Sequence, residues 1–262
     1  MSSPRQRRVV LVIWAVLFAS LVVAIAFVRH GRHQFDAPLN VRGPVWRLHG
    51  PVSDFYAARA GDHVLLFDSG ADPEGRGLDA LLAAMHARRD DVSDVFLTHG
   101  HGDHVAAAPL ASRARVHAGQ GDVDMMAQKS PTVPLLARYM RFILPTPKVE
   151  ARDAISARSE IQVDGAEKVI AIPFPGHTPG STIYFYAGVL FAGDAINFEG
   201  DKLTLAFPPF TVDKQLNRRN VSALGTFIPL DQIKVVCTGH SGCTPEADTR
   251  RMLDDVINKA RS

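Results

Sequence analysis

The sequence predicts an α+β fold, sheet layers covered by helices, preceded by one N-terminal transmembrane helix. Three features point there. β-like runs come in clusters from Val45 onward, helix-like segments are spaced among them rather than alternating strictly with strands, and Val9–Val28 is almost wholly apolar. A chain of 262 residues, 46% hydrophobic and 21% charged, can build a sizeable core, which excludes disorder and collagen-like fibre.

The apolar run reads VVLVIWAVLFASLVVAIAFV, with Ser20 its sole polar side chain, and twenty such residues span a bilayer as a helix. Arg5, Arg7 and Arg8 precede it, Arg29 and Arg32 follow, and the N-terminal excess of cations favours an N-inside orientation with the rest of the chain outside the cytoplasm. A cleaved signal peptide is the alternative, because Ala24, Ile25 and Ala26 form an A-x-A-like site. An uncleaved anchor is preferred because the run continues past that site. The expectation is a single-pass membrane protein with its folded domain extracytoplasmic, or an exported soluble form if cleavage falls near Ala26. Residues 1–8 form a basic flank and 9–28 the signal anchor. Residues 29–44, polar with Gly and Pro, read as a linker, and 45–262 as the folded domain.

β-like runs follow at 45–48, 54–58, 63–68, 94–99, 168–174, 181–186, 189–194 and 233–240. Helical spacing marks 77–88 (Leu78, Leu81, Leu82, Met85), 104–112, 213–225 and 245–260, the last opening at Thr244-Pro245 like an N-cap followed by Pro at N1. Segment 123–147 is bounded by prolines and mixes Leu135, Leu136, Tyr139, Met140, Phe142, Ile143 and Leu144 with Arg138 and Arg141. It reads either as an ordinary packed helix or as a hydrophobic lid or interfacial helix.

Net charge is +2, from 29 Lys and Arg against 27 Asp and Glu, and Arg5, Arg7, Arg8 and Arg29 belong to the membrane flank. Residues 31–262 therefore hold 25 bases against 27 acids, with no basic footprint for nucleic acid. Cys237 and Cys243 are too few for a disulfide framework or a four-Cys zinc site. They bracket His240 and either form a disulfide across its loop or act as small buried residues.

The strongest chemical signal is Thr98-His99-Gly100-His101-Gly102-Asp103-His104, after a strand-like run and before a helix-like one. Imidazoles and a carboxylate on a glycine-hinged loop are preferred non-sulfur ligands of zinc, turned toward one point. His177 lies in the turn-rich Pro175-Gly176-His177-Thr178-Pro179-Gly180, while Asp194 and His240 end strand-like runs beside Gly193 and Gly239.

On these residues the chain resembles the metallo-β-lactamase-fold hydrolase superfamily over about 45–260, closest to its glyoxalase-II-like and lactonase-like branches. The resemblance implies a four-layer αββα sandwich and two divalent metal ions, zinc by preference. His99, His101 and His177 would bind one ion, Asp103, His104 and His240 the second, and Asp194 would bridge them. Asp68, in Phe67-Asp68-Ser69-Gly70, would support the metal loop from behind. It further implies hydrolysis of a small ester, thioester or lactone by a hydroxide shared between the metals and oriented by Asp103. Only 22 residues follow His240, so the glutathione-binding C-terminal region of glyoxalase II is expected to be absent. Two other readings stay open, an iron-dependent dioxygenase of sulfur compounds and a non-catalytic anchored binding protein. Substrate choice is expected to lie in 123–147 and in Phe198 to Lys214, with Tyr139 and Tyr184 as hydroxyls that could meet an oxyanion. Oligomeric state is not readable.

Overall fold

The computed structural model describes residues 35–50 and 52–262, together with Trp14, Phe18, Ala19 and Val22. Most of the run Val9–Val28 therefore lies outside the described residues. Among the described residues no helix is long and apolar enough to cross a membrane.

The first sheet runs in spatial order β1 (Leu39–Arg42), β2 (Val45–His49), β3 (Asp54–Ala60), β4 (His63–Phe67), β5 (Val92–Leu97), β6 (Arg115–Gly119) and β7 (Asp153–Ile155). It is antiparallel from β1 to β4 and parallel from β4 to β7. β8 (Ser159–Ile161), β9 (Val169–Pro173), β10 (Thr182–Tyr186), β11 (Val189–Gly193) and β14 (Val235–Thr238) build the second sheet, in which β11 and β14 are parallel. A hairpin of β12 (Ile196–Glu199) and β13 (Lys202–Leu205) stands apart.

Strand periodicity explains the layering. Along β4, Leu65 and Phe67 join the core between the sheets, while Val64 and Leu66 turn to the opposite side. Along β11, Val189 and Phe191 face the first sheet, and Leu190 and Ala192 face the other way. Both strands are thus apolar on both faces, as sheets covered on each side require. Phe67 and Phe191 stack at 3.7 Å between centroids, joining the two sheets. Helix α1 (Arg76–Ala84) covers the first sheet with Leu78, Leu81 and Leu82. Helix α5 (Lys214–Ser222), the turn α6 (Leu224–Phe227) and helix α7 (Glu246–Arg261) cover the second, α7 through Met252, Leu253, Val256 and Ile257. The result is an αββα sandwich.

Three local expectations change. Leu39–Arg42, within the segment read as a linker, is an edge strand on β2, and the Asp36 N–H donates to the His49 carbonyl. Thr244 does not cap α7, since Pro245 takes the N-cap and the buried Thr244 hydroxyl instead meets the Val236 N–H and Thr249. Strands β6, β7, β8, β12 and β13 have no counterpart among the β-like runs. β7 and β8 are each three residues long and mostly solvent-facing, too short for a period of two to register.

Candidate metal centre

The site forms along one edge of the sandwich, at the C-terminal ends of β4, β5, β9, β11 and β14, where Asp68, the 98–104 loop, the 174–181 loop, Asp194 and His240 emerge. Strand β5 ends at Leu97, and the chain turns into α2 (Gly102–Val105), which holds Asp103 and His104. Parallel neighbours in each sheet bring these ends together, so residues far apart in sequence meet at one edge.

The structure gathers all seven expected ligands. His99 Nε2 and His101 Nδ1 lie 3.1 Å apart, and His177 Nε2 lies 3.1 Å from the same His101 nitrogen. An ion held tetrahedrally at about 2.0–2.1 Å from three nitrogens separates them by about 3.3 Å, so this triad fits a divalent metal. Asp103, His104 and His240 form a second group: Asp103 Oδ2 is 3.5 Å from His104 Nε2 and 3.6 Å from His240 Nε2. Asp194 stands between the groups, with Oδ1 at 3.5 Å from His104 Nε2 and Oδ2 at 3.5 Å from His177 Nε2 and 3.0 Å from His240 Nε2. His104 Nε2 and Asp194 Oδ1 are buried without a hydrogen bond, although burying a polar atom unpaired is costly. Two such atoms facing one another among further ligand atoms are what a cation would satisfy.

The remaining ring nitrogens are held from behind. His104 Nδ1 meets Asp68 Oδ2 at 2.9 Å, His101 Nε2 meets the Val133 carbonyl at 2.9 Å, and His240 Nδ1 meets the Val52 carbonyl. Each contact fixes a tautomer and aims the other nitrogen inward. Asp68 also accepts from the Thr98 N–H and hydroxyl, both at 2.8 Å, tying β4 to the loop after β5. Gly239 is sterically required, because a Cβ there would overlap Asp194 Oδ1 and His104 Cε1.

Electrostatics separate the groups. Burial drives His177 down to about 4 and His99 well below the usual imidazole range, the latter helped by repulsion from neighbouring imidazoles. Asp194 raises His240 to about 10, with Asp103 assisting. Burial opposes charge on His104, yet Asp103, Asp194 and Asp68 lift it to about 9. Burial would raise Asp194, but His240 and His104 hold it well below the carboxylate range.

Two supporting carboxylates escaped the sequence reading. Buried Asp122, at the start of the short helix α3 (Val123–Met126), accepts from the Gly100 N–H (2.8 Å), the Gly180 N–H (2.8 Å) and the Thr178 hydroxyl (2.6 Å), clamping the loops of His99 and His177 together. Its only sequence signal is the pair of glycines before it in Gly119-Gln120-Gly121-Asp122, after a strand that was itself unread. Asp54, also buried, accepts from Arg47 and from the Gly242 N–H beyond His240. Nothing in an alternating strand start marks it. Cys237 and Cys243 are disulfide-bonded, bridging the base of the His240 loop. Neither expected tyrosine reaches the site: Tyr184 is in the core, donating to the Leu97 carbonyl, and Tyr139 is exposed.

A cavity of about 480 Å³ opens over the site. Ala137, Met140 and Leu144 from α4 (Leu135–Ile143) and its C-terminal end form one wall, and Phe207 and Phe210 another. His101, Asp103, Asp194 and His240 stand at its floor. Both regions expected to govern substrate choice, 123–147 and Phe198 to Lys214, therefore contribute to it.

An αββα sandwich with a paired His and Asp centre at its sheet edge defines a class of metal-binding hydrolase folds. The chain belongs to the metallo-beta-lactamase superfamily, whose family pattern it matches over residues 50–240. It is 32% identical over 157 residues to a hydroxyacylglutathione hydrolase of Anaeromyxobacter dehalogenans, covering 59% of this chain and 50% of that protein. It is 30% identical over 129 residues to a hydroxyacylglutathione hydrolase of Fuscovulum blasticum, covering 48% and 40% respectively. The match thus spans half or less of these relatives. The metallo-beta-lactamase GOB-18 of Elizabethkingia meningoseptica shares the fold, with a TM-score of 0.66 at 15% identity over 88% of this chain and 93% of that one. Family and relatives support a metal-dependent hydrolase.

Proposed function

We propose that the protein hydrolyses a small ester, thioester or lactone with an apolar acyl or ring portion, using two divalent ions, zinc by preference. The observation that carries this is the placement of Asp194, one carboxylate facing both ligand groups. Bound there, two such ions would act as Lewis acids on the scissile carbonyl and lower the pKa of water from about 15.7 to about 7. His99, His101 and His177 would hold one, Asp103, His104 and His240 the other, and Asp194 would fix their spacing. The Asp103 carboxylate, partly exposed on the cavity floor, accepts a hydrogen bond from the attacking water and orients it toward the carbonyl. The Met140, Leu144, Phe207 and Phe210 walls receive the apolar portion and exclude bulk water. No serine or cysteine nucleophile is required, and both cysteines are engaged in the disulfide.

We place the domain outside the cytoplasm, tethered through residues 9–28. The disulfide supports an oxidising compartment, and the apolar run with its flanking arginines supports the tether.

Metal analysis of the purified protein, followed by a panel of lactone, thioester, phosphodiester and β-lactam substrates, tests the reading. About two zinc ions per chain with lactone or thioester turnover, abolished in Asp194→Ala, is expected. A single tightly bound iron with oxygen consumption on a persulfide would replace it with the dioxygenase reading.

A further inference from the structure

We propose that the outward face of α4 and the adjoining turn at Phe207–Phe210 dock on an anionic lipid bilayer. Helix α4 is apolar on two sides. Ala137 and Met140 turn toward the cavity, while Leu135 (75% exposed), Tyr139 (51%) and Phe142 (76%) point into solvent at steps of four and three, one face of a helix. Phe207 (53%), at the start of the turn that contacts this helix and lines the cavity with it, is exposed as well. From Phe35 onward, the other exposed large apolar side chains are Leu136 on the same helix and Phe35, Leu39 and Val212. A water-facing helix surface normally carries charge, so a contiguous apolar rim at a cavity mouth marks a contact surface.

Two features select a bilayer as its occupant. From Met125 to Val149 the chain carries Lys129, Arg138, Arg141 and Lys148 and no Asp or Glu. Arg138 and Lys129 are exposed, Lys129 also facing the Glu150 carboxylate, whereas Arg141 is half-buried and spent on the Met125 carbonyl and Thr132, and Lys148 pairs with Glu150. Apolar groups interspersed with cations match the boundary between acyl chains and anionic headgroups. The chain also brings its own route to a membrane. Val9–Val28 is long enough to span, and residues 29–34 reach no further than roughly 20 Å when fully extended. Phe35 lies against Gly77 and lines one small pocket together with Gly70, Ala71 and Asp72, and Ala71 also lines the cavity over the metal centre, so the described chain starts near that cavity. Held that close, a weak surface contact is strengthened by its high effective concentration.

The docking rests on the proposed tether through residues 9–28 but not on the hydrolase reading. With Cys237 and Cys243 joined, Phe142→Cys supplies a single free thiol for an environment-sensitive fluorophore. The full chain is reconstituted in phosphatidylcholine vesicles with and without phosphatidylglycerol, some carrying a lipid-borne quencher at headgroup depth. A probe at Asp62→Cys, in the turn at the opposite edge of the first sheet, is the reference. Quenching at residue 142 is expected to exceed that at 62 by about twofold or more in the anionic vesicles, and to fall at high salt. Equal quenching at 142 and 62 overturns the proposal. Equal quenching at 142 with and without phosphatidylglycerol overturns the anionic surface. Oxidative cross-linking between 142 thiols of two chains without lipid overturns it in favour of a second copy. Tyr139→Cys repeats the measurement on the same face should Phe142→Cys unfold. None of these readouts needs metal or turnover, so their failure leaves the hydrolase proposal standing, and the reverse holds.

Discussion

The metal loops and the cavity rim are neighbours built on opposite principles. Around the loops, polar atoms are buried and nearly all paired: Asp68 alone joins Thr98 and His104, and Asp122 joins Gly100, Thr178 and Gly180. Around the rim, Leu135, Tyr139 and Phe142 of α4 and Phe207 of the other cavity wall stand exposed to water. A buried hydrogen-bonded network tolerates little displacement, whereas a contact made of apolar area can adjust. The loops are therefore suited to holding chemistry constant and the rim to choosing what enters.

That contrast breaks if loop variants change substrate ranking or rim variants change metal content. The largest expected effect is Asp194→Ala, which removes the carboxylate common to both ligand groups. Metal content should fall below that of the parent, with a loss of ~10³-fold in kcat, the scale of several kcal/mol of Lewis-acid stabilisation. Retained kcat would mean that Asp194 does not serve both groups.

Next comes pH. His104, near 9, and His240, near 10, are protonated at neutral pH in the metal-free protein, so a metal must displace both protons. Affinity should rise by up to about 100-fold per pH unit below 9, and calorimetry at pH 7 in buffers of different ionisation enthalpy should count about two protons released. Because both folded-state pKa values lie above the unfolded value, these protons stabilise the metal-free fold fully below about pH 6.5. That stability is lost as pH rises through 9 to 10. Melting curves of the metal-free protein should show this decline.

Asp68→Asn places an amide N–H against His104 Nδ1 or against the Thr98 donors and should cost about 10- to 100-fold in metal affinity, with substrate ranking unchanged. A chelator titration reads it. The smallest effect belongs to the rim. Met140→Ala removes apolar wall and should lower kcat/KM roughly tenfold for the longest acyl substrates, through KM, with metal content intact. A uniform fall across chain lengths would assign Met140 to general packing.

The ligands were legible in advance because their chemistry is local. His99, His101, Asp103 and His104 fall within six consecutive residues, His177 sits beside Gly176 in a turn-rich stretch, and Asp194 and His240 sit beside glycines just past strand ends. Their supports were legible only where a motif surrounds them, as at Asp68. Asp54 and Asp122 look like ordinary strand-start and loop acids until the backbone brings Gly242, Gly100 and Gly180 to them across as many as 188 residues. The choice between lid and packed helix for 123–147 was likewise undecidable, since both readings share one apolar composition. In the fold, α4 does some of each, walling the cavity with one face and leaving the other in water.

The sequence by itself determined the α+β class, the strands of both sheets that carry ligands, and the identity of all seven candidate ligands. The class and the strands rest on periodicity, which acts over a few residues; the assignment of all seven positions as metal ligands is what the family resemblance implied. Tertiary structure alone decided that the seven side chains converge at one edge of the sandwich, that Cys237 pairs with Cys243, that β1 extends the sheet, and that Asp54 and Asp122 hold the loops. The convergence of the seven side chains depends on the parallel pairing of β4 with β5 and of β11 with β14. That register aligns strand ends distant in sequence, and no local pattern encodes it.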